Sequence, residues 1–252
     1  MGISGFSARP VEGLPEVERG FDLGAAIAGL TTLSSGDIVA ISQKVVSKAE
    51  GRSVGLGSID PGGEAEQLAR ELGKDPRLVE LILRDATTVV RTDPERGILI
   101  TETRHGFICA NSGIDASNVE GEDTVLLLPE DADASARRIR DAIEAAASVR
   151  PAVLVSDSFG RAWRTGQAEV AIGCAGLTVI DDWRGRTDSH GRELAATMIA
   201  IADQVAAAAD LARDKTSRTP AVVVTGLDRY VTGEDGPGSL SQLRDPGEDL
   251  FR

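Results

Sequence analysis

Apolar positions along the chain fall into short runs separated by glycine, proline and polar clusters. The runs 38–42, 152–155 and 221–225 predict strands, the second of them buried, because small or β-branched apolar residues dominate each. A further apolar run at 170–176 can extend through 177–180. Shorter strands are expected at 87–90 and 98–101 around a turn at 93–97, within 105–110, and at 124–128, where Pro129 stops it. Helical spacing predicts helices over 22–30, 64–72 and 76–84, the last opened by Pro76, which suits a first turn. Residues 131–148 place Ile139 and Ile143 on one helical face. A long helix is expected over 192–213, where Leu194, Met198, Ile201, Val205 and Ala208 recur at helical spacing as a core or dimer stripe. Between these elements lie a Gly- and Ser-rich loop at 51–63, a polar link at 181–191 and a charged loop at 214–219. The tail from 232, rich in Gly, Asp and Ser, is expected to be mobile.

Composition then narrows the partners. At 252 residues the chain can bury a real core, and 41% hydrophobic with 27% charged residues is ordinary for a globular protein. With 27 basic against 40 acidic side chains the formal charge is -13, which argues against nucleic acid or an anionic membrane as partner. An anionic substrate therefore needs a local basic pocket or a metal ion. Cys109 and Cys174 stand far apart in apolar runs, so they read as core thiols, neither a disulfide framework nor a zinc knuckle. The N-terminus has no continuous apolar segment of the signal-peptide kind, and no run approaches the ~20 apolar residues of a membrane span. A soluble, cytoplasmic protein is expected.

The chemistry concentrates in 151–177. Ser156, Asp157 and Ser158 follow the strand 152–155, at the strand end where α/β folds usually place their sites. An acid with neighbouring hydroxyls can hold a hard cation, and Arg161 and Arg164 can meet an anion. The plainer alternative is an Asp-Ser turn closing a strand. Asp115, with Ser117 and Asn118, repeats the same organisation after the strand within 105–110, and Asp214 is a third acid in a loop. Carboxylates without histidine or thiol favour Mg²⁺ or Mn²⁺ over zinc, and such ions commonly bridge phosphate oxygens. Lys44 and Lys48, just past the strand 38–42, are phosphate-binding candidates or solvated surface lysines. The 51–63 loop fits neither a P-loop nor a dinucleotide fingerprint. His105 and His190 read as turn or surface histidines or as a general base, and Trp163 and Trp183 as packing anchors or as platforms for a ring. Two other readings stay open: a metal- and nucleotide-dependent ligase for another carboxylate, and a catalytically silent nucleotide-binding module.

Several stretches in order resemble the coenzyme F420-0:L-glutamate ligases (F420:γ-glutamyl ligases). They are Val11-Glu12-Gly13-Leu14-Pro15, the segments 45–52, 111–118, 156–161 and 171–173, Asp182-Trp183-Arg184-Gly185-Arg186, and Gly191-Arg192-Glu193-Leu194. The resemblance spans nearly the whole chain as one domain. It implies a mixed α/β (α+β) fold particular to the family, with mixed sheets and a long helix in the C-terminal half, assembled as an intertwined homodimer. It implies a GTP-dependent amide ligase that adds L-glutamate to coenzyme F420-0, a deazaflavin cofactor precursor, through an acyl phosphate, and then adds γ-linked glutamates. By the same resemblance Asp157, Lys48 and Arg161 are catalytic. Asp115 and Asp157 hold a first Mg²⁺ or Mn²⁺, and Ser158, where the family often has threonine, joins Asp214 at a second. Leu14, Pro15, Glu16, Val17, Gln43, Lys44, Lys48, Asn118 and Lys215 contact GTP, and K⁺ is a further candidate ion. In actinobacteria such a module can be fused to a C-terminal flavin-binding domain, and this chain stops about where that domain would begin.

Overall fold

The computed structural model describes residues 5–115, 123–213 and 218–249. In chain order the elements are β1 (Ser7–Pro10), α1 (Leu23–Leu30), β2 (Ile38–Ser42), α2 (Gln43–Ala49), β3 (Ser53–Gly55), α3 (Gly63–Leu72) and α4 (Pro76–Asp85). They continue with β4 (Ala86–Asp93), β5 (Ile98–Thr103), β6 (Ile108–Ala110), β7 (Thr124–Leu126), α5 (Ala132–Ala147), β8 (Ala152–Arg161) and β9 (Arg164–Ala175). Last come β10 (Ile180–Asp182), β11 (Met198–Ala200), α6 (Ile201–Asp210) and β12 (Ala221–Thr225). Three helices start where an aspartate satisfies an otherwise unpaired backbone N–H: Asp22 accepts from Ala25, Asp75 from Arg77 and Asp131 from Ala134.

The main sheet has the order β1-β12-β2-β8-β9, antiparallel except for the β2/β8 pair. In that parallel pair Ile38 lies opposite Ala152 and Ser42 opposite Ser156, so β2 ends beside Ser156 while β8 runs on to Arg161. Alternation along each strand sends side chains to two faces. Val39, Ile41, Val153, Val155 and Val223 pack with Ile27, Ile139 and Ile143 of α1 and α5. Ile38, Ala40, Leu154, Val222 and Val224 pack with Ile201, Val205 and Ala209 of α6. Helices thus cover both faces, which is why these strands read as continuous apolar runs. A second cluster joins Leu56, Leu72, Leu81, Ile82, Leu99 and Ile114 beneath the β4-β5-β6 sheet, and β3 pairs with β7 alongside it. The fold is mixed α and β, as expected.

Three local expectations change. The predicted helix 192–213 is helical only over Ile201–Asp210; β11 instead pairs antiparallel with β10, and Leu194 N–H donates to the Arg186 carbonyl at 2.8 Å. Pairing with 180–187 captures a segment whose apolar spacing imitates a helix. The longest helix described is α5, with 16 residues. The strand expected at 152–155 runs on to Arg161, because β9 supplies ladder partners through the polar residues. The loop 51–63 contains β3 and a short helical turn at Leu56–Ser58. In the tail from 232, Asp235 Oδ1 accepts from the fully buried Arg140 at 2.7 Å and the Thr232 carbonyl accepts from it as well, and Arg140 also donates to the Pro151 carbonyl.

Candidate functional site

The site forms where β2 ends beside Ser156 of β8, the one parallel pair of the sheet. Helix α2 follows β2 with no linker, so Lys44 stands in its first turn and Lys48 one turn on, on the same face. Lys44 Nζ lies 2.9 Å from Asp115 Oδ2. Asp115 is held by a two-way backbone bridge with Leu126, its N–H donating at 3.0 Å and its carbonyl accepting at 2.8 Å. Lys48 pairs with Glu16, and that contact together with the more distant Arg218 holds the Glu16 carboxyl below the usual range. The segment of Leu14, Pro15, Glu16 and Val17 is thereby tied to α2, with Val17 buried and Leu14 packed on the core.

Asp157 occupies the same face of β8 as Val153 and Val155 and so points toward Asp115 and Lys44. Its Oδ1 accepts from the Ser158 N–H at 2.9 Å. Burial pushes its carboxyl up to about 7, the carboxylates of Glu169 and Asp115 add to the rise, and Lys44 and the Ser158 N–H oppose it. A buried acid held among other acids is an unfavourable arrangement that a divalent cation would relieve. Cys109, on β6, is pushed up to about 12 by burial and then by Asp157 and Asp85, so it is a protonated core thiol and no ligand.

Ser158 faces the other way, toward α6. Its Oγ donates to Glu169 Oε1 at 2.5 Å, while Ser156 Oγ donates to Glu169 Oε2 at 2.5 Å. Arg213, just past α6, donates to Ser156 Oγ at 3.0 Å and lies 3.5 Å from Glu169. Asp157 and Ser158 therefore turn to opposite sides of β8. Glu169, buried on β9 directly opposite Ser158, is the residue that sequence reading missed. A hairpin read across Gly160 and Gly166 would have paired it with Ser158.

Two other placements differ from expectation. Arg161 sits four residues beyond Asp157, ~13 Å along an extended strand. Its guanidinium donates to the Thr165 carbonyl at 2.7 Å, so it closes the hairpin and is not brought to Asp157. Gln43 is buried and donates to Ser47 Oγ at 2.7 Å and to the Leu127 carbonyl at 3.3 Å, which makes it a brace for α2. Asn118, Asp214 and Lys215 lie outside the described residues. Among the described residues no three His, Cys, Asp or Glu side chains converge as a ready metal cage. A cleft of about 440 Å³ is lined by Glu12, Gly13, Leu14, Ala212, Arg218 and Thr219. His105 Nε2 bonds the Glu130 carbonyl at 2.7 Å, Trp183 donates to Asp181, and Trp163 is 85% exposed at the β8–β9 hairpin.

The donor set suits a hard cation. Asp115 and Asp157 offer carboxylate oxygens and Ser158 a hydroxyl, with no imidazole among them, and Asp157 is the acid most in need of a counter-charge.

The sequence profile of the family described as F420-0:Gamma-glutamyl ligase matches residues 13–226. Among curated proteins, the coenzyme F420:L-glutamate ligase of Methanopyrus kandleri is 41% identical over 253 residues, covering 100% of this chain and 99% of that protein. The protein of the same name from Haloarcula marismortui is 42% identical over 249 residues, covering 96% and 94%. That from Methanothermobacter thermautotrophicus is 41% identical, covering 98% and 99%.

Proposed function

Because the chain belongs to the F420-0:gamma-glutamyl ligase family, we propose that it ligates L-glutamate to coenzyme F420-0 and then adds γ-linked glutamates, driven by GTP. The observation that carries this reading is the meeting of Asp157, Asp115 and Lys44 where β2 ends beside β8. A carboxylate is too poor an electrophile to form an amide directly. Transfer of the GTP γ-phosphoryl group to a carboxylate oxygen of the acceptor gives an acyl phosphate and GDP. The glutamate nitrogen then attacks the acyl carbon, the C–N bond forms as the bond to phosphate breaks, and the ammonium protons leave to solvent. Lys44 and Lys48, one turn apart on α2, supply cationic charge for the polyphosphate that the protein's net charge of -13 otherwise repels. The cleft between Leu14 and Arg218 accommodates the nucleoside end.

Asp115 and Asp157 would hold a first Mg²⁺ or Mn²⁺, and Ser158 with Asp214 a second. When bound, such ions offset the charge between polyphosphate and attacking oxygen. The β10–β11 arm, which leaves Met198 47% exposed, is the surface we assign to a homodimer contact. Two free, buried thiols, Cys109 and Cys174, accord with a reducing cytoplasm, and among the described residues no helix is long and apolar enough to cross a membrane.

A heavy-oxygen label in the acceptor carboxylate tests the route. The label should appear in the released phosphate, one atom per amide formed. Unlabelled phosphate alongside labelled product would rule out the acyl phosphate, and the absence of GTP-dependent amide would rule out the function.

A further inference from the structure

Lys44 and Asp115 meet from two stretches of backbone that are each held in place. Lys44 stands in the first turn of α2, directly after β2, and Asp115 is fixed by its two-way bridge to Leu126. Lys44 Nζ lies 2.9 Å from Asp115 Oδ2, and the side chains are 28% and 27% exposed, so solvent and ions reach the contact. One turn along α2, Lys48 makes the same kind of contact with Glu16. Both lysines placed to meet a polyphosphate are thus engaged by carboxylates of this chain. The residue type matters here. Of the 27 basic side chains, all but Lys44, Lys48, Lys74 and Lys215 are arginines. An arginine would grip Asp115 through a rigid two-pronged fork, whereas a lysine offers one compact charge on a flexible four-carbon stem and changes partner readily.

Asp115 is also the carboxylate assigned above to the first divalent ion, with Asp157 close enough on β8 to sense both Asp115 and Lys44. An ammonium and a divalent ion at one carboxylate repel each other as like charges at short range, and near a protein surface that repulsion is several times stronger than in water. Asp115 has little room to withdraw, because its side chain is short and its backbone is bridged on both sides. Lys44 can withdraw, since rotation about its stem moves the ammonium and leaves α2 undisturbed. Residues four apart on a helix have Cβ atoms ~5–6 Å apart, so an ammonium that leaves Asp115 stays beside that of Lys48, within reach of the same polyphosphate.

We propose that Lys44 and the first divalent cation compete for Asp115, and that the ion, on binding there, turns the Lys44 ammonium to the phosphates of the nucleotide. Ion and nucleotide then favour each other's binding through this lysine, in addition to any contact between metal and phosphate. The inference rests on the divalent-ion and nucleotide reading of the site given above.

The test is Mn²⁺ binding, followed by the electron paramagnetic resonance signal of the free ion, first without nucleotide and then with GDP. Without nucleotide, Lys44→Met should bind Mn²⁺ at least ~10-fold more tightly than the unaltered protein, because the competing charge is gone. A lysine that merely braced Asp115 would give the opposite sign, since its loss would loosen the ligand. GDP should tighten Mn²⁺ binding by a smaller factor in Lys44→Met than in the unaltered protein, because the coupling through the lysine is lost. Combining Lys44→Met with Asp157→Asn should abolish the nucleotide-free gain, which assigns the ion to this site. Lys44→Gln takes the place of Lys44→Met if the latter fails to fold. Nucleotide-free Mn²⁺ affinity in the lysine variant equal to or below that of the unaltered protein would overturn the proposal and leave the ligase reading standing. A gain that survives in the double variant would overturn it as well, by placing the ion elsewhere. No Mn²⁺ bound by the unaltered protein even with GDP would overturn the divalent-ion reading, and the competition with it.

Discussion

Replacing Asp157 by asparagine should strengthen the metal-free fold while removing turnover. The carboxyl of Asp157 is raised from 3.8 to about 7, chiefly by burial and then by Glu169 and Asp115. For an acid raised on folding, the unfolded chain releases the proton first, so the native state is progressively penalised as pH climbs from the unfolded value to the folded one. At 1.36 kcal/mol per unit, the full penalty above the folded value is at most about 4 kcal/mol. Asp157 keeps part of its surface in solvent, which screens the charge, so a gain of ~2–4 kcal/mol is the expectation. Asparagine retains the oxygen that accepts from the Ser158 N–H, so little else is lost. The assay is urea unfolding of both proteins in EDTA at pH 4, 6 and 8. Their stabilities should coincide near pH 4 and diverge upward, with the variant the more stable at pH 8 and inactive in ligation. A variant less stable than the parent at pH 8, or a difference that does not grow with pH, would refute the reasoning.

Three further outcomes follow from other parts of the structure. Arg140→Met leaves Asp235 and the Pro151 and Thr232 carbonyls without their buried donor and should cost ~3–5 kcal/mol by urea unfolding; a loss below about 1 kcal/mol would show that the tail is not held through this residue. Lys44→Ala removes the cation beside Asp115 and should raise the KM for GTP at least ~10-fold with the fold intact by circular dichroism; an unchanged KM would remove Lys44 from the nucleotide site. Asp131→Ala deletes the cap of α5 and should lower stability by ~1 kcal/mol, a fall of ~2–4 °C in Tm, with ligation kinetics unaltered.

Much of this fold is legible from periodicity. Strands β2 and β12 are bounded as expected because both faces of their sheet are covered, so every position but the last of each is apolar. Helix α5 is read correctly because Asp131 caps it and Ile139 and Ile143 mark its buried face. Legibility fails where a pattern is shared by two structures. Leu194, Met198 and Ile201 recur at helical spacing, yet the segment before Ile201 pairs with β10, a non-local partner that no window of sequence reveals. The end of β8 misleads for a different reason. Ser156, Asp157 and Ser158 are polar, and polarity after an apolar run reads as the end of a strand. Asp115, Asp157 and Lys44 are recoverable from the sequence as acids and a lysine just beyond apolar runs. The contact of Glu169 with Ser156 and Ser158 is not, because it depends on the β8/β9 register and on the face to which Ser158 turns. Arg161, near an acid in sequence, is carried along the extended strand, and its guanidinium donates to carbonyls of the hairpin.

The central claim is GTP-driven glutamylation at the site of Asp157. Its most direct test is mass spectrometry of F420-0 incubated with the protein, GTP, L-glutamate and Mn²⁺, beside the Asp157→Asn variant. The account predicts products heavier by whole glutamyl residues, formed only with GTP and only by the unaltered protein. Glutamylated product from the folded Asp157→Asn variant, or from mixtures lacking GTP, would contradict it.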